Sequence, residues 1–474
     1  MTIVLTLLGY FAALLLLSRM TTRHATNDTF YRGNRQSPWY LVAFGMIGAS
    51  VSGVTFVSVP GMVNTIGMTY LQTCLGFVLG YVAVAFVLLP IYYRLNLTTI
   101  YTYLQKRLGT RSYKTGTWFF LLSKMSGSAV KFYVVCMLLQ RFVLNAIGVP
   151  FMVTALMLVS LIWLYTRRGG IKTLVWTDTF QTICMFAALI FIIVQVMSML
   201  DMNVVEAVKA IAQDDRSRIF VFDDWLSKQN FWKQFVSGIF IVIVMTGLDQ
   251  DMMQKNLTCK TLREAQKDMC TYGLAFVPVN LLFLALGVLL SMLAAQQGVP
   301  LPSAGDELLP MFAATGELGT MVVVFFTIGI VATSFSSADS ALTALTTTYC
   351  VDICQKPADE RLRHRVHAAM GVVFVLFILV FRTFNSTNLI DAIYILVSYT
   401  YGPLLGLFAF GLLTKYRVND RWVPYLALAA PVLCYVLDAV AQHVWNYHFG
   451  YELLLLNGLL TFVGLYVTRK KDVL

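Results

Sequence analysis

Long apolar stretches separated by short basic ones run the whole length of the chain. Thirteen of them, at 2–18, 39–63, 68–91, 116–146, 150–166, 173–200, 232–253, 271–295, 319–346, 367–384, 388–413, 423–441 and 451–468, are apolar enough to cross a bilayer as helices. A crossing takes roughly 20 apolar residues. The first stretch lacks a basic leader and reads Ser18-Arg19-Met20 where a signal peptide has small residues, so it is kept as a span. The pattern predicts an all-α integral membrane protein. It divides into 1–38 (first span and an inner loop), 39–200 (five spans), 201–231 (an outer loop), 232–413 (five more spans) and 414–474 (the last two spans). Because five is odd, the second set of five enters from the opposite side, and the arithmetic permits an inverted repeat.

Composition agrees with lipid as the main solvent. Of the 474 residues, 58% are hydrophobic and only 12% charged, with a mean hydropathy of +0.72, whereas soluble domains carry about 25% charged residues. A soluble enzyme, a nucleic-acid module and a disordered chain are excluded together. The net charge of +11 reports orientation. Most of the 35 Lys and Arg residues fall in alternate loops, among them Arg32, Arg35, Arg94, Lys106, Arg107, Arg167, Arg168, Lys255, Lys260, Arg361, Lys415, Arg469, Lys470 and Lys471. The opposite loops hold Lys209, Arg216, Arg218, Lys228, Lys233 and Arg382. Positively charged loops stay in the cytoplasm, which predicts an outside N-terminus, a cytoplasmic C-terminus and residence in the plasma (inner) membrane. Lys124, Lys131 and Arg141 lie inside one span.

Ionisable groups within spans are costly and are functional candidates by default. Asp178 stands one to two turns inside span 6, where capping of the helix start is the plainer alternative. Span 9 carries Thr333, Ser336, Ser337 and Ser340 at i, i+3, i+4 and i+7, one face of a helix, with Asp339 beside them. Close helix packing accounts for small hydroxyls but needs no acid; hard oxygens with a negative charge suit a desolvated alkali cation. Span 2 passes through Gly48-Ala49-Ser50-Val51-Ser52-Gly53, a poor membrane helix and a predicted break. A break exposes carbonyls, tolerated only where they line a cavity. A similar interruption is expected in span 11 at Ser398-Tyr399-Thr400-Tyr401-Gly402-Pro403. Cys350 and Cys354 form a CxxxC without an accompanying His, for which packed thiols are the simpler reading.

These motifs resemble the sodium:solute symporter family. The Gly48–Gly53 stretch is similar to its broken first core helix, and Trp176-Thr177-Asp178-Thr179-Phe180-Gln181 to its WTD-x-x-Q opening of core helix 5. Gly247-Leu248-Asp249-Gln250-Asp251-Met252-Met253-Gln254-Lys255 resembles the end of core helix 6, with Asp249 and Lys255 in place of the usual Asn and Arg. Ser336–Ser340 and Tyr399–Phe408 resemble core helices 8 and 10. The resemblance implies a leucine-transporter-like 5+5 inverted repeat. It also implies a sodium site built from carbonyls of Gly48, Val51 and Thr333 and hydroxyls of Ser336 and Ser337. Some members bind a second sodium, here at Asp178, Asp339 and Ser340, although Asp339 replaces a serine.

The expectation is therefore a sodium-coupled symporter that imports a small organic or anionic solute by alternating access, with sodium as its coupling ion. It performs no covalent chemistry and is not an enzyme. It works in the lipid bilayer, as a monomer and without nucleic acid. The rival readings are a membrane-embedded solute sensor and a sodium-independent uniporter or channel of the same fold. Solute contacts are expected from Thr55, Phe56, Gln72, Lys131, Tyr399 and Tyr401. Lys131, near the middle of span 4, needs either an internal partner, with Asp339 or Asp178 available, or an anionic solute. The apolar run Ile239–Met245 in span 7 argues against a sugar.

Overall fold

The apolar stretches fold as helices because a bilayer offers no water to backbone groups, so each span must satisfy its own. The computed structural model describes residues 2–470 apart from 23–24, 146–147, 315, 385–388, 446 and 448. The expected span ends at 146 and 388 and the terminal Lys471 lie outside the described residues. The helices, in chain order, are α1 (Thr2–Thr21), α2 (Trp39–Ser50), α3 (Gly53–Ile66), α4 (Tyr70–Arg94), α5 (Thr110–Leu139), α6 (Phe151–Thr166), α7 (Ile171–Met199) and α8 (Phe231–Gly247). They continue with α9 (Gln250–Asn256), α10 (Leu262–Gln297), α11 (Thr320–Ile353), α12 (Glu360–Phe384), α13 (Leu389–Leu413), α14 (Val423–Trp445) and α15 (Leu453–Val467). Among the described residues nine are long and apolar enough to cross a membrane, and eleven spans result when the two bent pairs α2–α3 and α8–α9 are each counted as one. Helices α6 and α15 are apolar but shorter.

The first break is where small residues predict it. Val51 leaves helical geometry (ψ 87°) and Ser52 is extended (ψ 170°), so α3 departs from α2 at 61°. The amide of Ser52 bonds the carbonyl of Ser50 (3.0 Å), two residues back rather than four. Tight packing holds the bend. A Cβ on Gly48 would meet Thr182 Oγ1 at 2.0 Å, and one on Gly53 would meet Ser334 Oγ at 2.1 Å.

The second break is a correction. It lies not in the predicted place but between α8 and α9, where a π turn at Ile243–Gly247 gives way to a 69° bend. Helix α13 runs unbroken through Ser398–Pro403. Pro403 has no N–H for the carbonyl of Tyr399, four residues earlier. The side-chain amide of Asn457 in α15 donates to that carbonyl (3.0 Å) and to that of Ser398 (2.9 Å). A neighbouring helix thus completes the backbone pairing that the proline removes.

Alternate loops meet each other. The Arg35 guanidinium donates to the carbonyl of Leu97 (3.1 Å), and Arg107 Nε to that of Gly411 (3.0 Å). Asp420 accepts from the amides of Arg111 and Ser112 at 2.7 Å. At the other end, Gln72 bonds the 201–231 loop, and Lys233 reaches Tyr447 (3.2 Å). The basic loops therefore gather on one face of the molecule, as their charge predicts. Lys255 departs from this. It belongs to α9 and is fully buried, not a loop cation.

Close helix approach makes one further position sensitive. A Cβ on Gly287 of α10 would lie 2.0 Å from the carbonyl of Pro60 in α3, which is backbone and cannot rotate away. Gly287→Ala is expected to lower the thermal unfolding midpoint in detergent, since overpacking costs about 1–3 kcal/mol. An unchanged midpoint would mean that α3 and α10 separate freely.

Candidate solute and cation site

The two breaks and the helices beside them enclose a central cavity of ≈ 110 Å³. Its walls come from the α2–α3 bend (Ala49, Ser50, Ser52, Thr55), from α4 (Tyr70, Phe77, Tyr81), α5 (Lys124, Ser128, Lys131) and the α8–α9 bend (Ile241, Val242, Met245, Thr246, Asp249, Asp251). Tyr272 and Phe276 of α10, Ser337 of α11 and Tyr394 of α13 complete it. Hydroxyls form a chain along one side. Ser50 Oγ lies 2.5 Å from Tyr272 OH, and Tyr81 OH donates to Tyr272 OH at 2.7 Å. None of these tyrosines stood out in the sequence, because an aromatic residue in a span reads as core.

Charge in the cavity is layered. Lys124 Nζ sits between two carboxylates of the second break, 3.0 Å from Asp249 Oδ2 and 2.6 Å from Asp251 Oδ2. Asp249 also caps α9 by accepting from the amide of Asp251 (2.8 Å), and accepts from Tyr401 OH (2.7 Å). Lys131 lies seven residues further along α5, on the same face. It lines the cavity without an ion-pair or hydrogen-bond partner among the described residues. Neither expected partner reaches it, because both are engaged elsewhere.

Asp178 of α7 is paired with Lys255 of α9. The Nζ–Oδ2 distance is 2.7 Å, with side chains 1% and 2% exposed. Its other oxygen accepts from Ser336 Oγ (2.7 Å). Asp339 Oδ2 accepts from Tyr165 OH (2.6 Å), and Ser340 Oγ lies 3.3 Å from its Oδ1. The capping alternative for Asp178 is set aside by this, since its carboxylate is spent on the Lys255 and Ser336 side chains.

Of the residues expected to hold sodium, Ser337 meets the first break directly. Ser337 Oγ donates to the carbonyl of Ala49 (2.8 Å), and Gly48 is pressed against Thr182. Ala49 is a carbonyl the sequence comparison did not single out. Thr333 stays helical, its hydroxyl turned back to the carbonyls of Gly329 (2.9 Å) and Ile330 (3.1 Å). Carbonyls freed at a bend beside two buried hydroxyls are a hard-oxygen set suited to an alkali cation.

Of the expected solute contacts, Thr55 and Lys131 line the cavity. Tyr401 stands behind it as a donor to Asp249. Three lie elsewhere. Phe56 is buried against Phe283 and Phe326. Gln72 donates to the carbonyl of Gln229 (3.0 Å) and accepts from the amide of Val221 (3.1 Å), tying down the outer loop. Tyr399 is half-buried outside the cavity, beside α15. Cys350 packs with Phe30 and Tyr31.

Comparison with known proteins bears on the family and the fold. The model of the Sodium:solute symporter family matches residues 30–421. The sodium/sialic acid symporter NanT of Aliivibrio fischeri is 25% identical over 434 residues, which cover 87% of this chain and 83% of that protein. The human sodium/iodide cotransporter is 28% identical over 242 residues, 50% of this chain and 36% of that protein. Among solved structures, a Na⁺-coupled sialic acid symporter in a substrate-bound outward-open state superposes with a TM-score of 0.83 at 20% identity, covering 100% of this chain and 99% of the other. Mhp1, a nucleobase-cation-symport-1 family transporter, superposes in a closed conformation with a TM-score of 0.59 at 15% identity, over 93% and 92% of the two chains. Such likenesses carry the fold, an all-helical transporter core. With a family model spanning most of its length and relatives that are sodium-coupled transporters, the chain belongs to the sodium:solute symporter family.

Proposed function

We propose that the protein imports a small carboxylate-bearing solute together with one sodium ion by alternating access. The observation that carries this reading is a shared wall. Ala49 and Ser337, whose carbonyl and hydroxyl meet at the first break, both also line the central cavity. A cation held by those oxygens stabilises the bend whose inner surface forms the solute site, so the two ligands bias the same arrangement. That differential stabilisation is what coupling requires. When sodium arrives, the Ser337 hydroxyl turns its hydrogen away from Ala49 and offers a lone pair. Gly48, Val51, Thr333 and Ser336 supply the rest of the set in this reading.

Lys131 supports the solute's negative group. An ammonium within the membrane that lacks a protein partner is costly, and an arriving carboxylate offsets that cost. Named relatives carry anions: sialic acid, iodide and, in the mammalian proteins, monocarboxylates. The Lys255–Asp178 pair supports one sodium instead of two, because the carboxylate expected at a second site with Asp339 and Ser340 already holds a fixed cation. One sodium crossing 100 mV releases about 2.3 kcal/mol, enough for roughly 50-fold accumulation of a solute of no net charge. In this reading α6 and α15 also cross. The bilayer then holds thirteen spans with the N-terminus outside, and the breaks in spans 2 and 7 occupy matching places in two inverted sets of five.

Lys131→Gln tests the solute half. Loss of one charge-assisted hydrogen bond, about 1.5–3 kcal/mol, predicts a KM for solute raised roughly 10- to 150-fold, with half-saturating sodium unchanged and a sodium Hill coefficient of 1 before and after. An unchanged KM, or a shift in sodium dependence alone, would remove Lys131 from the solute site.

A further inference from the structure

Lys131 accounts for only one end of the cavity, and the other end is charged in the opposite sense. Among the described residues Asp249 and Asp251 share one salt-bridge partner, Lys124, so this group of three carries one net negative charge. The oxygens of Asp249 are taken by Lys124, Tyr401 and the amide of Asp251. Asp251 is different. Its Oδ2 meets Lys124, while its Oδ1 has no hydrogen-bond partner among the described residues, although the residue is 4% exposed and faces the cavity. A buried acceptor left unmade costs about 1–3 kcal/mol, more when charged. The site therefore presents an unpaired cation at one end and an under-satisfied anion at the other.

We propose that the solute is a zwitterion, with its carboxylate on Lys131 and its ammonium on Asp251. This rests on the symporter reading above and names the class of solute for the same cavity. A simple anion would satisfy Lys131 and leave Asp251 bare, close to a net negative group. A neutral polyol would leave Lys131 unpaired. A zwitterion meets both needs and adds no net charge to a site that already receives sodium. Lys124, which holds Asp251, and Lys131 are seven residues apart on one helix, roughly 10 Å along the axis, so a solute whose amine stands a few carbons from its acid suits the two better than one whose charges share a carbon.

The test uses the full chain in proteoliposomes with sodium outside, measuring sodium-driven uptake of radiolabelled 4-aminobutanoate, alanine, butanoate and butylamine. The expected result is sodium-dependent uptake of 4-aminobutanoate that half-saturates at a concentration at least tenfold lower than for butanoate or butylamine, with alanine between. Asp251→Asn should raise half-saturation at least tenfold for 4-aminobutanoate and leave any weak butanoate response unchanged. Butanoate equalling or exceeding 4-aminobutanoate in the unaltered protein overturns the proposal, whether or not the variant folds. So does an Asp251→Asn effect of equal size on both. Sodium-induced thermal stabilisation of the purified protein separates the two readings. If sodium stabilises it and no probe responds, the zwitterion class is wrong and the symporter stands. If sodium does nothing, the symporter reading itself fails.

Discussion

Lys255→Ala is expected to cost about 3–5 kcal/mol of stability, because removing one partner of a buried ion pair leaves the other charge uncompensated. Asp178 is 1% exposed and its remaining partner, Ser336, is a neutral hydroxyl. The loss should appear as a large fall in the thermal midpoint in detergent and in the yield of folded protein. Sodium then becomes informative. With the ammonium gone, Asp178 is a free carboxylate beside the hydroxyls of α11, and added sodium should restore part of the lost midpoint more strongly in the variant than in the parent. The double change Lys255→Ala with Asp178→Asn removes both charges and should recover most of the stability, as replacing a whole buried pair often does. If the single variant is as stable as the parent, the ion pair is not the lock described here. If sodium protects both equally, Lys255 does not stand in a cation's place.

Ser336→Ala together with Ser337→Ala is expected to abolish concentrative uptake while leaving the protein folded. The two hydroxyls reach different partners, the Asp178 carboxylate and the Ala49 carbonyl, so each alanine removes an oxygen from a different side of the proposed cation site. A desolvated alkali ion that loses two of six oxygens has little left to offset its hydration, and the sodium gradient no longer drives the solute. Downhill exchange of solute should persist, because no cavity charge is touched. Uptake of labelled solute with and without an imposed sodium gradient measures both. Retained accumulation with unaltered sodium dependence would move the cation elsewhere.

The elements most legible in the sequence were those governed by local chemistry. The apolar runs became helices with ends shifted by a few residues, as at Leu262, where α10 begins nine residues before the expected 271. That extension carries Arg263, Glu264, Lys267 and Asp268, so it falls outside any apolar window although it continues the helix. The bend at Gly48–Gly53 was legible because glycine and serine favour a break and because only a missing Cβ allows Thr182 so close. The bend at Leu248–Asp249 was not. Its sequence, Ile239–Met245 followed by Gly247, reads as a good helix, and it breaks because Asp249 caps a new helix while holding Lys124 and Tyr401. Conversely, Ser398–Pro403 looks broken in sequence and is continuous in space, since Asn457, more than fifty residues later, supplies the missing donor.

The chain by itself determines that it lives in a bilayer, which loops stay together, which family it resembles and which few polar groups must do the work. Solvent imposes these, since each span answers to lipid residue by residue. Which polar group meets which was decided only by the tertiary structure. Asp178 could cap, bind sodium or pair with a lysine, and nothing near it in sequence chooses among these. The choice falls to Lys255, brought up by a bend 70 residues away. Lys124 and Lys131 are alike on paper, two basic residues on one helix face. The second break places two carboxylates against the first and none against the second, and that difference gives the cavity its two ends.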